Sequence, residues 1–172
     1  MFTPITRAKK QLFRGMVVDT TPHLIRYCTA PFMASVPIII GTPVTVDDSI
    51  SSPDKPMLKP LTSLADKIAG ISTYNPQIVY EFDENGNLVY PKNSIVSVLE
   101  MGDIVMYSET PVNFNDLVSM RIAGEDPANN LFIGNISNSL PSPNGRQLPN
   151  SRFVEMTTSP GLAIIHIGLI ST

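Results

Sequence analysis

The chain has 172 residues, of which 42% are hydrophobic and 16% charged, with a net charge of −3. That is enough for one domain with a core of its own, while the longest apolar runs, 36–40 and 161–170, fall well short of the roughly 20 residues of a membrane-spanning helix. Cys28 is the only cysteine, which excludes an intrachain disulfide and every multi-cysteine zinc site.

The chain opens on a basic segment. Residues 1–30 carry Arg7, Lys9, Lys10, Arg14 and Arg26 against Asp19, a net of +4 that leaves −7 on the remainder. Neither an apolar stretch nor a small-residue cleavage site follows, so this is not read as a secretory signal. Residues 1–14 read as an arm before a single body at 15–172. Its apolar anchors are sparse (Phe2, Ile5, Leu12) and bury too little to offset the entropy of ordering it. The basic residues are few and outside any recognition motif, which points away from nucleic acid and toward an acidic protein surface. An ordinary solvated terminus has the same composition.

Sixteen prolines and ten glycines cut the rest into pieces too short for a long helix. In chain order, strands are expected at 16–18, 24–28 and 44–46, then a proline-rich loop at 47–60. Ser63 and Asp66 have capping-box spacing and Gly70 can end a turn, which predicts a short helix over 63–70. A hairpin follows at 78–90, where Asn85 and Gly86 supply the positive backbone angles of its turn. Strands at 95–99 and 104–107 are expected to be joined by a tight turn at Gly102 and Asp103. Val118, Met120 and Ile122 alternate with Leu117, Ser119 and Arg121, as in a strand with one buried face. Further strands are expected at 131–133, 153–156 and 162–169, with a second loop at 137–150. The pattern predicts an all-β sandwich or barrel of short antiparallel strands with long loops.

No phosphate-binding loop, dinucleotide fingerprint or serine elbow is present. His23 and His166 are far apart in sequence, and Cys28 lies in an apolar stretch that favours a small buried hydrophobe over a reactive thiol. The 83–87 segment has the oxygens of a calcium loop but lacks its terminal bidentate glutamate, so a plain turn is expected. The acidic pairs Asp47-Asp48 and Glu125-Asp126 read as solvated turns, and the sequon at Asn135 has no secretory context. Neither an enzyme nor a metal or cofactor site is expected.

Several short motifs occur in a familiar order: 15–23 (GMVVDTTPH), 37–42 (PIIIGT), Ala69-Gly70-Ile71, 101–105 (MGDIV), 115–121 (NDLVSMR), Ile133-Gly134-Asn135, 148–153 (LPNSRF) and 161–165 (GLAII). In this order they resemble the structural cement proteins of tailed bacteriophages, over about residues 15–169. The 1–14 arm, the 47–60 segment and the long 78–90 hairpin depart from that pattern. The resemblance implies a jelly-roll-like or β-tulip-like body that attaches in many copies to the outside of the head, bridging major capsid subunits. It implies as partners the major capsid protein, neighbouring copies and other virion proteins, with no nucleic acid or membrane, on a virion assembled in the host cytoplasm. Arg7, Lys9, Lys10 and Arg14 are then the capsid-contact candidates. The alternatives are another virion β protein, such as a head fibre base, head-completion protein or tail component, and a free carbohydrate-binding or hydrolase domain, against which the absence of tryptophan counts.

Overall fold

The computed structural model describes residues 12–18, 24–26, 32–140 and 143–168, with the backbone alone at 24–26. Among these residues thirteen strands are formed: β1 Leu24–Arg26, β2 Met33–Ala34, β3 Ile38–Ile39, β4 Pro43–Val46, β5 Met57–Pro60, β6 Gly70–Ser72, β7 Glu81–Phe82, β8 Leu88–Tyr90, β9 Val98–Ser108, β10 Leu117–Arg121, β11 Ile136–Ser137, β12 Gly145–Phe153 and β13 Gly161–Ile167. The only helical element among the described residues is a 3-10 turn at Pro127–Asn129. The all-β reading therefore holds.

One long strand organises the chain. The first residues of β9 pair with β6 and β1, and the last seven, from Gly102 to Ser108, pair with β13. From β13 the sheet continues through β12, β10 and β11, and β11 returns to β9 at Ile136 opposite Ser108, closing a five-stranded barrel. Its interior holds Ile104, Met106, Val118, Met120, Ile136, Leu148, Phe153, Ala163, Ile165 and Ile167. On the other side the sheet runs through β6, β4, β5 and β2, while β3, β8 and β7 make a separate three-stranded sheet. Ala34, Ile38, Val44, Leu58, Tyr90 and Val98 form a second core from strands of both sheets.

The expected turn at Gly102 and Asp103 is not a turn. Both lie inside β9, and Gly102 has φ +135° where pairing passes from β1 to β13, just beyond a register shift. A glycine at positive φ within a strand marks a bend or bulge that lets one strand serve two sheet regions. The predicted helix over 63–70 is also absent: Ser63 Oγ accepts from Ala65 N at 3.2 Å, and Gly70 opens β6 instead. Eight residues with one apolar face do not overcome the cost of helix nucleation.

The two expected loops are shorter than 47–60 and 137–150. Met57 and Leu58 are buried in β5, and β12 begins at Gly145. At 131–133 there is only an isolated bridge from Leu131 to Asp126, and the strand comes later, as β11. The 117–122 alternation is as expected on its inner face, with Val118, Met120 and Ile122 buried and Leu117 exposed, but Arg121 is buried too.

The hairpin is present as β7 and β8, paired Glu81 to Val89 and Phe82 to Leu88. Asp83 builds the turn: Oδ1 accepts from Asn85 N at 2.9 Å and Asn87 N at 2.7 Å, and Oδ2 from Asn87 Nδ2 at 2.9 Å. Its carboxylate thus accepts from three donors within the turn. Positive φ falls on Gly86 alone, at +78°, and a Cβ there would meet nothing within 4 Å. Gly86→Ala is accordingly expected to cost only the left-handed strain of about 1 kcal/mol, read as a small shift in the urea midpoint; a loss of several kcal/mol would mean that the turn packs against the body.

Candidate functional site

Among the described residues no group of three His, Asp, Glu or Cys side chains is placed to hold a metal. The polar groups that do converge are structural, and two arginines meet at the turn that precedes β11.

Arg14 enters from the N-terminal side. Its Nη1 donates to Asn135 Oδ1 at 3.2 Å and its Nη2 to Ile133 O at 3.0 Å and Gly41 O at 3.3 Å. All three acceptors are uncharged. Burial pulls the guanidinium down to about 10, opposed by the fields of Asp83 and Glu125, so at neutral pH it remains a cation. Glycines make the space for it. A Cβ on Gly134 would lie 2.6 Å from Arg14 Nη2, and one on Gly41 2.8 Å from Arg14 Cγ. Both have positive φ, +87° and +72°, a conformation that glycine adopts without penalty.

Arg121, in β10, closes the same turn from the other side. Its backbone N donates to Asn135 O at 2.8 Å, and its O accepts from Gly134 N at 2.9 Å. Its guanidinium binds Glu109 at both ends, Nε to Oε1 at 2.6 Å and Nη2 to Oε2 at 2.8 Å, while Nη1 donates to Ala123 O and Gly124 O. The hydrogen-bonded Glu109 carboxylate raises the affinity of Arg121 for its proton. Asn135 itself is buried, so the sequon there is inaccessible in the fold.

Elsewhere, His166 Nδ1 lies 2.7 Å from Asp103 Oδ1, a cross-strand pair fixed by the β13–β9 register, with Arg152 of β12 on the far side of His166. Asp47 accepts from Ser49 Oγ at 2.7 Å and sits 3.8 Å from Lys59 Nζ. Glu125 accepts from Ile133 N at 3.0 Å, and Asp126 from Asn129 Nδ2 at 2.7 Å. Neither acidic pair is arranged around a common point as a general acid and base would be.

Beside single exposed apolar side chains such as Ile50, Leu64 and Ile95, two surface regions of the described residues gather several. In one, segment 112–117 runs antiparallel to 152–157 at the barrel end, through a Val112–Thr157 bridge and the Leu117–Arg152 pair, and leaves Phe114, Leu117 and Met156 exposed. In the other, the hairpin exposes Val79 (84%) and Phe82 (75%). Phe82 borders a groove of about 440 Å³ lined also by Phe13, Ile39, Ile40, Tyr74 and Leu88. Phe13 stands edge-on to Tyr74 at 4.9 Å, and Tyr74 stacks on Tyr80 at 5.4 Å.

The family model of the structural cement proteins (E217 gp24/Pam3 gp6) matches residues 3–168. The chain belongs to this family. Its role is structural and its place is the phage capsid, in association with capsid proteins. The fold of this cement protein is similar to that of a chain in the solved capsid of Myoviridae phage XM1, with a TM-score of 0.65 at 15% identity, covering 99% of each chain. No curated protein matches the sequence.

Of the four capsid-contact candidates, Arg7, Lys9 and Lys10 lie outside the described residues, as do His23 and Cys28. Arg14 is described, and its hydrogen bonds among the described residues go to the body of the cement protein. Gly102 and Asp103 are brought to β13 rather than to a chain reversal. The Arg14 clamp had no signal in any one segment, since its partners are 27 to 121 positions away; the glycines of 37–42 and 133–135 were visible only as motifs.

Proposed function

We propose that this protein binds the outer surface of the phage head in many copies and bridges neighbouring major capsid subunits, stabilising the shell. The observation that carries the reading is the family match over nearly the whole chain. Two features support it. The barrel and the second core are stiffened by buried polar clamps rather than arranged around a reactive centre, which suits a load-bearing part. Exposed apolar side chains stand on or beside two different sheets, at Phe114, Leu117 and Met156 and at Val79 and Phe82, and a bridge needs more than one adhesive surface. Modest contacts repeated over a lattice sum to durable attachment.

Arg7, Lys9 and Lys10 are proposed as contacts made on the assembled shell, on an arm that ends before Phe13. Phe13 packs on Tyr74 and Arg14 is bonded to the body, so the arm is shorter than 1–14. Co-sedimentation with shells lacking the protein is expected to show saturable binding and a higher shell melting temperature. Deleting residues 2–11 is expected to leave the free protein's melting temperature within a few degrees and to weaken shell binding, more at low salt than at high salt. Absence of binding by the full chain would contradict the reading; undiminished binding by the deletion would contradict the arm.

A further inference from the structure

We infer that the groove beside Phe82 receives the N-terminal segment, residues 2–10, of a neighbouring copy of this chain. The inference rests on the cement reading only in that copies must lie side by side on a shell.

The groove has the chemistry of one half of a match. Its walls are Phe13, Tyr74, Phe82, Ile39, Ile40 and Leu88, with Arg14, whose guanidinium is held by Asn135, Gly41 and Ile133, and its rim is the hairpin that carries Glu81, Asp83 and Glu84 with no basic residue between positions 81 and 91. The Asp83 carboxylate is used by the turn. Glu81 and Glu84 are exposed and form no ion pair among the described residues. Among the described residues strand β7 is also the outer strand of its sheet, paired only with β8. In the alternation fixed by the Asp83 N to Asn87 O bond, the backbone N–H and C=O of Phe82 point away from β8. An edge strand with unpaired backbone groups is a template for an added strand.

The segment before Leu12 has the other half. Phe2 and Ile5 are apolar, and Arg7, Lys9 and Lys10 place three positive charges where the hairpin has three negative ones. Extended, nine residues span roughly 30 Å, enough to lie along β7 and pass the groove. The same chain is poorly placed to supply it. Phe13 is itself a wall of the groove, so the segment would have to reverse within a few residues, and positions 5–14 contain no Gly, Pro, Asn, Asp or Ser to make that reversal. A neighbouring copy needs no such turn.

The test uses the full chain without shells, by sedimentation velocity over a wide concentration range. The wild type is expected to self-associate at low salt and to dissociate as salt rises. Reversing the segment (Lys9→Glu with Lys10→Glu) or the hairpin (Glu81→Lys with Glu84→Lys) is each expected to weaken association at least tenfold, combining the two reversals to restore it, and Phe82→Ala to weaken it without changing the salt dependence. Unchanged circular dichroism would show that these exposed substitutions leave the fold intact. A wild type that stays monomeric throughout would overturn the inference, as would association indifferent to both reversals or not restored by their combination. Because no shell is present, such a failure leaves the shell-binding result standing.

Discussion

Glu109→Ala is expected to lower the stability of the free protein by about 3–5 kcal/mol, the largest loss from breaking any ion pair among the described residues. Both side chains are nearly inaccessible, at 8% for Arg121 and 5% for Glu109. The pair is bidentate, and the remaining Arg121 nitrogen is held by the carbonyls of Ala123 and Gly124. Removing the carboxylate strands a cation that cannot release its proton, in a site nearly closed to solvent. The backbone of Arg121 also carries the turn at Gly134 and Asn135, so a displaced arginine loosens the barrel's closing strand. Replacing both partners, Glu109→Leu with Arg121→Met, is expected to recover most of the loss, because an apolar pair of similar volume has no charge to desolvate. Urea denaturation followed by circular dichroism measures both. A single-variant loss below about 1 kcal/mol would place the pair among solvated ion pairs.

Gly134→Ala is expected to cost about 3–5 kcal/mol, against about 1 kcal/mol for Gly86→Ala. Both glycines have positive φ, so both substitutions carry a left-handed strain of about 1–2 kcal/mol. They differ in what the methyl meets. At Gly86 the space is empty, whereas at Gly134 a Cβ would lie 2.6 Å from Arg14 Nη2, 2.8 Å from Gly41 O and 2.9 Å from Thr42 Cα. Two of these are backbone atoms of a neighbouring segment, so relief requires moving the chain, at an overpacking cost of about 1–3 kcal/mol. The displaced guanidinium also loses bonds to Ile133 O and Gly41 O. Combining Gly134→Ala with Arg14→Ala should cost less than the sum of the two single changes, since each breaks the same clamp. Equal effects of Gly134→Ala and Gly86→Ala would mean that the clamp contributes nothing.

What could be read in the sequence was what is decided within a few residues. The turn at 83–87 is set by Asp83 and Gly86 acting on their immediate neighbours, and the buried face of β10 by the period of Val118, Met120 and Ile122. Gly102 misled for the same reason: Gly-Asp has turn chemistry, yet the pairing of Ile165 with Ile104 and Ile167 with Gly102 carries the strand through. Arg121 alternates with the buried residues and still ends up inside, because Glu109, twelve positions away, neutralises it. Arg14 looked like part of a basic arm; only the folded chain brings Gly41 and Ile133 to its guanidinium. Local propensity cannot report such contacts, since their energy is paid in long-range pairing.

The central claim, attachment to the outside of the head across neighbouring capsid subunits, is tested most directly by a reconstruction of shells saturated with the purified protein. The account predicts added density on the outer surface, fitted by the barrel and its second sheet, with each copy touching at least two major capsid subunits. Density confined to a tail or a single vertex, on the inner surface, or in contact with one subunit only would contradict it.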